Sequence, residues 1–106
     1  MSPSRSDKSP TEAQYATKLL AALRAMPETW VFKVHGGPYQ QRGIPDILGC
    51  RRGRLFALEL KRRNAEITPL QRATLLAVYD AGGLTRVYST SVPVEVVQEW
   101  LSPSAS

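Results

Sequence analysis

The sequence predicts a single α/β domain, a small mixed β-sheet flanked by helices, in the order α-β-β-β-α-β-α. Three observations predict it. Segments with apolar residues at helical spacing alternate with short apolar runs of strand length. Two of the helical segments begin with Ser or Thr followed three residues later by Glu or Gln, which is a helix-start signal. The chain has 106 residues, 42% of them hydrophobic, which suits one domain with a modest core.

The first helix is predicted to follow a polar, Ser-rich lead-in over residues 1–8, which we expect to be disordered. Ser9 is its predicted N-cap, Pro10 takes the first helical position, and Glu12 closes a capping box. The helix should extend to about Ala25. Its apolar stripe consists of Tyr15, Ala16, Leu19, Leu20 and Leu23.

The first strand is predicted over residues 30–35. Its side chains alternate between two faces, with Phe32 and Val34 on one and Lys33 and His35 on the other. The loop that follows contains residue types that contact phosphates or bases, with an ordinary polar loop as the alternative. These residues are Tyr39, Gln40, Gln41 and Arg42.

A β-hairpin is predicted next. Two apolar runs, residues 47–50 and 55–60, flank a short polar break that contains Gly53. We take Arg52 and Gly53 as the two turn residues. That choice sets which residues of the two strands lie directly opposite each other.

In this register Asp46 lies opposite Glu59, with the Cβ atoms roughly 5 Å apart. Lys61 lies on the same face, about 7 Å along the strand. Opposed like charges destabilise a sheet, unless a cation such as Mg²⁺ binds both carboxylates. In the alternative, Asp46 merely starts a strand and Glu59 is a solvated edge residue. A turn one residue longer would also move Asp46 off this face.

The second helix repeats the capping pattern, with Thr68 as N-cap and Gln71 closing the box. It should reach Ala81, where Gly82-Gly83 stops it. Gln71 shares a helix face with Leu75 and should therefore point towards the sheet.

A further strand is predicted over residues 84–90, followed by a last helix that Ser91 and Pro93 start and that ends at Leu101. Its inward residues should be Val94, Val97 and Leu101. The domain is thus predicted to span residues 9–101, with a tail over residues 102–106.

Basic residues exceed acidic ones, with 14 Lys and Arg against 9 Asp and Glu and a net charge of +5. This balance suits a polyanionic partner such as nucleic acid, although an ordinary basic protein also fits it. Two clusters at the hairpin are candidates for holding a phosphate backbone. They are Arg51, Arg52 and Arg54 at the turn, and Lys61, Arg62 and Arg63 at the far end.

The single cysteine, Cys50, excludes an internal disulfide and a cysteine zinc cluster, and we expect it to be a buried strand residue. No apolar run approaches the ~20 residues that span a membrane. The N-terminus carries no signal-peptide pattern. We therefore expect a cytoplasmic protein.

Pro45-Asp46, followed after twelve residues by Glu59-Leu60-Lys61, is similar to the signature of the PD-(D/E)xK nuclease superfamily. Gly43 before it and the segment 68–71 after it resemble the VRR-NUC branch of that superfamily. The resemblance extends from about residue 12 to residue 100.

The resemblance implies a restriction-endonuclease-like core that hydrolyses DNA with Mg²⁺ or Mn²⁺. It implies that Asp46, Glu59 and the Leu60 carbonyl hold the metal, and that Glu12 joins them directly or through water. Lys61 would orient the attacking water and neutralise developing charge. A Gln in the position of Gln71 lies beside the active site in this family. For both Glu12 and Gln71, helix capping alone is the alternative.

The resemblance further implies a substrate of branched DNA, such as a Holliday junction, and a homodimer that places two sites about a two-fold axis. The dimer would use the first helix with Trp30, or the last helix through Trp100. Two alternatives remain open. One is a restriction-type nuclease that reads a short sequence, and the other is a non-catalytic DNA-binding module with the same fold.

Overall fold

The computed structural model describes residues 10–35 and 42–102 and confirms the predicted class and element order. The helices and strands have the following bounds: α1 Glu12–Arg24, β1 Thr29–Lys33, β2 Ile47–Arg51, β3 Arg54–Lys61, α2 Pro69–Asp80, β4 Leu84–Ser89 and α3 Val94–Leu101.

The four strands form one mixed sheet in the order β1-β2-β3-β4. The pairs β1–β2 and β2–β3 are antiparallel, whereas β4 runs parallel to β3. A parallel neighbour requires a crossover connection, and α2 supplies it. Among the described elements, β1 and β4 are therefore the two edges of the sheet.

The β2–β3 hairpin has the register that the sequence predicts. Arg51 pairs with Arg54, and Ile47 pairs with Leu58. Arg52 and Gly53 form the turn with φ angles of 52° and 83°. Positive φ at both positions is the conformation that matches the twist of a two-residue hairpin.

The hydrophobic core lies on one face of the sheet, under α1 and α3. Successive strand residues point to opposite faces, so Leu58 and Leu60 face this core, whereas Ala57 and Glu59 face away from it. On the opposite face, α2 packs over β3 and β4. The main core residues are Tyr15, Leu19, Leu23, Val31, Ile47, Phe56, Leu58, Leu60, Tyr88, Val97 and Leu101.

The predicted start of α1 is wrong by two residues. The N-cap is Thr11, and Gln14 closes the capping box that we assigned to Ser9 and Glu12. Both pairs satisfy the same pattern, so the local signal is ambiguous. Pro10 precedes the helix and Glu12 becomes its first residue, while Ser9 lies outside the described residues.

Smaller differences concern strand ends. β1 stops at Lys33, although the next amide, of Val34, still donates to the Asp46 carbonyl at 2.8 Å. β4 ends at Ser89, one residue earlier than predicted. Cys50 lies on β2 as expected but is only half-buried.

The predicted N-cap, capping box and C-terminal end of α2 are confirmed. No helix within the described segments is long and apolar enough to cross a membrane.

Candidate active site

Asp46 links three strands at one end of the sheet. Its carbonyl accepts from Val34, beyond the end of β1, and its side chain reaches towards β3. There, Oδ2 accepts the backbone N–H of Leu60 at 2.8 Å. A short side chain held at both its backbone and its carboxylate has little rotational freedom, so this carboxylate is preorganised.

The Leu60 carbonyl is directed to the same side of β3 as its N–H, because both backbone groups of a strand residue point to the same neighbour. Continuing the register past Ile47–Leu58 places Pro45 opposite Leu60. Proline has no N–H to donate to that carbonyl. The Leu60 carbonyl and the Asp46 carboxylate therefore lie together where β2 begins.

Glu59 is the most unusual residue of this region, since a carboxylate only 3% exposed carries a high desolvation cost. Its Oε2 accepts from Gln71 Nε2 at 3.1 Å and lies 3.9 Å from Lys61 Nζ. Its Oε1 is buried and receives no hydrogen bond.

The electrostatics of Glu59 follow from this setting. Burial, with a smaller contribution from the charge of neighbouring Asp46, raises the pKa of Glu59 to about 8. Lys61 lowers that pKa, but by less. Without a metal, Glu59 is therefore largely protonated at neutral pH, and a divalent cation would displace that proton.

Gln71 closes the capping box of α2 and also contacts Glu59. Its Oε1 accepts the Thr68 N–H at 2.8 Å, and its own N–H donates to the Thr68 hydroxyl oxygen, which closes the capping box of α2. Its Nε2 meanwhile holds Glu59. Because a side-chain amide has both acceptor and donor, capping does not compete with the second contact.

Lys33 is a site residue that sequence reasoning missed. Its Nζ lies 4.0 Å from Asp46 Oδ1 and donates to the Val34 carbonyl at 2.8 Å. The β1–β2 register pairs Lys33 with Ile47, directly beside Asp46. A prediction that the first strand pairs with the hairpin would have placed Lys33 next to Asp46.

Glu12 lies near the site but not within it. It is the exposed first residue of α1, and its charge makes the smallest contribution to the raised pKa of Glu59. No three Asp, Glu, His or Cys side chains within residues 10–35 and 42–102 are grouped as metal ligands. The predicted role of Glu12 in metal binding is therefore restricted to a contact through water, and it stays a prediction.

The donor set fits a hard cation. Two carboxylates, a backbone carbonyl and water are the ligands that Mg²⁺ uses when it also binds a substrate phosphate. The buried Glu59 Oε1 lacks a hydrogen-bond donor, and a cation would satisfy it. Asp46, Glu59 and the Leu60 carbonyl could thus hold Mg²⁺ or Mn²⁺.

The turn arginines lie away from this site, roughly 20 Å along the hairpin from Asp46. Each contacts the protein itself. Arg51 donates to the Leu101 and Pro27 carbonyls, Arg52 pairs with Glu28 at 2.7 Å, and Arg54 donates to the Gly82 carbonyl at 3.0 Å.

The other predicted DNA-contacting residues lie nearer. Arg62 and Arg63 directly follow β3, next to Lys61, and Arg42 is an exposed residue shortly before Asp46. Tyr39 and Gln41 lie outside the described residues.

The two predicted dimer patches differ, since Trp30 is exposed whereas Trp100 is half-buried against Tyr88, with ring centroids 5.9 Å apart. DNA contacts and the dimer remain predictions.

No protein-family model matches the chain, and no curated protein or solved structure matches it significantly. The resemblance to the VRR-NUC branch therefore rests on the sequence motif alone.

Proposed function

We propose that this protein is a metal-dependent endodeoxyribonuclease, similar to the VRR-NUC branch of the PD-(D/E)xK nucleases. One observation carries the proposal. A buried carboxylate, Glu59, lies beside Asp46 on the adjoining strand, with the Lys61 amine 3.9 Å from Glu59 Oε2. Such a pair is not an arrangement that favours stability, because burial and the charge of Asp46 raise the cost of ionising Glu59.

Asp46, Glu59 and the Leu60 carbonyl would hold the cation. The chemistry that Mg²⁺ or Mn²⁺ supplies when bound is polarisation of a phosphoryl oxygen and acidification of a water. The protein's own contribution is orientation. The Leu60 amide fixes the Asp46 carboxylate, and Gln71 fixes the Glu59 carboxylate.

Lys61 would orient the attacking water and neutralise the charge that develops on the phosphate. Its position one residue after Leu60 puts its side chain on the same face as Glu59. No side chain need act as a covalent nucleophile, because water is the attacking group in this arrangement.

The proposed substrate is branched DNA, such as a Holliday junction. The net charge of +5 favours contacts with the phosphate backbone. Such contacts position a protein on DNA without reading its sequence, so selectivity would come from the shape of the DNA. A sequence-reading restriction-type nuclease and a non-catalytic DNA-binding module are the two alternatives.

The test incubates purified protein with a four-way junction, a flap and a linear duplex, with Mg²⁺ or with EDTA. Cleavage of the branched DNAs in Mg²⁺ alone is expected, and Asp46→Asn should abolish it while DNA binding is kept. Asp80→Asn, at the exposed end of α2, is the matched control. Binding without any cleavage would favour the non-catalytic module, and sequence-dependent cutting of the duplex would favour the restriction-type enzyme. Wild-type cleavage rates in Asp46→Asn would overturn the site assignment.

A further inference from the structure

Among the described residues, part of the sheet face that carries Glu59 is covered by none of the helices. On this face α2 packs over β3 and β4, and no described helix covers β1 and β2 there. Two aromatic side chains occupy that open part: Trp30 is 62% exposed and Phe32 is 39% exposed. Their ring centroids lie 5.1 Å apart, with the planes tilted by 49°. Because the rings are not stacked on each other, their faces remain available to a ligand.

The aromatic pair is aligned with the candidate active site. In the sheet, Phe32 pairs with Leu48, and Trp30 pairs with Cys50. Asp46 is two residues before Leu48, so Phe32 is displaced by about 7 Å along the strand direction from Asp46 and Glu59. Phe32 is also two strands away from β3, a lateral distance of about 10 Å. The Cα atoms of Phe32 and Trp30 are therefore roughly 12 and 17 Å from the Cα atom of Glu59. A strand of only a few nucleotides covers such a distance.

We propose that Trp30 and Phe32 form a stacking platform for unpaired bases of the strand bound at the Asp46–Glu59 site. The proposal deepens the proposed function and rests on it. It narrows the substrate to DNA with single-stranded nucleotides close to the cleaved bond, such as a flap or a junction with an unpaired arm. In a fully paired duplex the base faces are covered by their neighbours and cannot reach the rings.

The size of the patch favours a base over a second protein chain. A fully exposed aromatic side chain offers about 150–250 Å², so the two rings together expose roughly 200 Å². Leu55, which is 46% exposed and lies in the same row as Trp30, adds less than one ring to this area. A stable protein–protein interface needs about 800 Å² on each partner. One or two nucleobases match the smaller area, and every base has a flat face that stacks on an aromatic ring.

The charge of the surroundings also suits a nucleic-acid strand. Lys33 directly follows Phe32 in β1, with its amine at the Asp46 end of the strand. The chain as a whole carries +5. A strand with its bases on the rings would thus have its phosphates attracted towards the cationic end of the site.

The experiment measures binding in EDTA, so that it does not depend on cleavage. The probes are a fluorescein-labelled 15-nucleotide deoxythymidine strand, a duplex of equal length and a flap. Trp30→Leu and Phe32→Leu should each weaken binding of the single strand and the flap by roughly tenfold, and leave duplex binding within about twofold. Trp30→Tyr should retain most of the affinity, because it keeps an aromatic face.

The matched control is Tyr79→Leu. Tyr79 is also 62% exposed, but it lies on α2, and its replacement should change nothing. Equal single-strand affinity in Trp30→Leu and wild type would overturn the platform. So would light scattering that shows a wild-type dimer and a Trp30→Leu monomer, because a second copy would then cover the rings. If the platform variants behave as expected but no DNA is cut in Mg²⁺, the platform is supported and only the hydrolytic function falls.

Discussion

Gln71 donates a 3.1 Å hydrogen bond to Oε2 of Glu59, while its Oε1 accepts the backbone N–H of Thr68. One side chain therefore joins the start of α2 to the buried carboxylate of β3. The position of the Glu59 carboxylate thus depends on the helix cap, although the two lie in different elements.

Replacing Gln71 by Ala should reduce Mg²⁺-dependent cleavage by tenfold or more, because Glu59 loses the donor that orients it and favours its ionised form. Gln14→Ala is the matched control, since Gln14 closes the same capping box in α1. Gln14→Ala should lose ~0.5–1 kcal/mol of stability. Gln71→Ala should lose roughly 1–3 kcal/mol more, because the buried Oε2 of Glu59 then has no hydrogen-bond donor. Cleavage rates against pH and urea unfolding check this. In Gln71→Ala the rise of the rate with pH should move to higher pH, and equal rates in the two variants would reduce Gln71 to a cap.

The stability of the metal-free protein should fall as pH rises. The pKa of Glu59 is raised from 4.5 to about 8 in the folded state, so the folded protein holds a proton that the unfolded chain releases. The resulting stabilisation is complete below pH 4.5 and is lost as pH rises through about 8. Urea unfolding in EDTA between pH 5 and pH 9 should show a loss of roughly 2–5 kcal/mol. Glu59→Gln should flatten this profile, and an unchanged slope in that variant would assign the effect elsewhere.

Glu12→Gln should lower cleavage several-fold while costing only about 0.3–1 kcal/mol of stability, the contribution of a charge near a helix N-terminus. The reason is loss of a carboxylate near the proposed cation. Glu95→Gln, in the first turn of α3, provides the comparison, because it removes the same kind of helix-terminal charge. Steady-state cleavage rates and thermal unfolding of both variants test whether Glu12 contributes to cleavage. If turnover in Glu12→Gln matches that of Glu95→Gln, Glu12 has no role beyond the helix terminus.

Gly49→Ala should destabilise the fold by about 1–3 kcal/mol through overpacking. A Cβ on Gly49 would lie within 2.2 Å of the Phe56 ring, which is fully buried and cannot move aside. Gly53→Asn is the contrasting change, because nothing lies within 4 Å of a Cβ there and Asn tolerates the positive φ of the turn. Denaturant midpoints of the two variants test this, and a smaller loss in Gly49→Ala than in Gly53→Asn would contradict it.

The order of elements and the hairpin register were predictable from the sequence, for local reasons. A two-residue turn with Gly53 has few conformations, and each forces one pairing of the flanking strands. The Asp46–Glu59 juxtaposition follows from that pairing alone. The start and end of α2 were likewise determined by Thr68, Gln71 and the glycine after Ala81.

Only the tertiary structure decided between signals that are locally equivalent. Two capping boxes compete at the start of α1, and the N-cap is Thr11 rather than Ser9. Lys33 reaches Asp46 because β1 pairs with β2, a contact between segments that the sequence pattern treats separately. Arg51 donates to the Leu101 carbonyl, a contact that the sequence pattern did not predict, since the last helix packs beside the turn. Turn and capping chemistry depend on neighbouring residues and can be predicted from sequence, whereas these contacts depend on how distant elements pack.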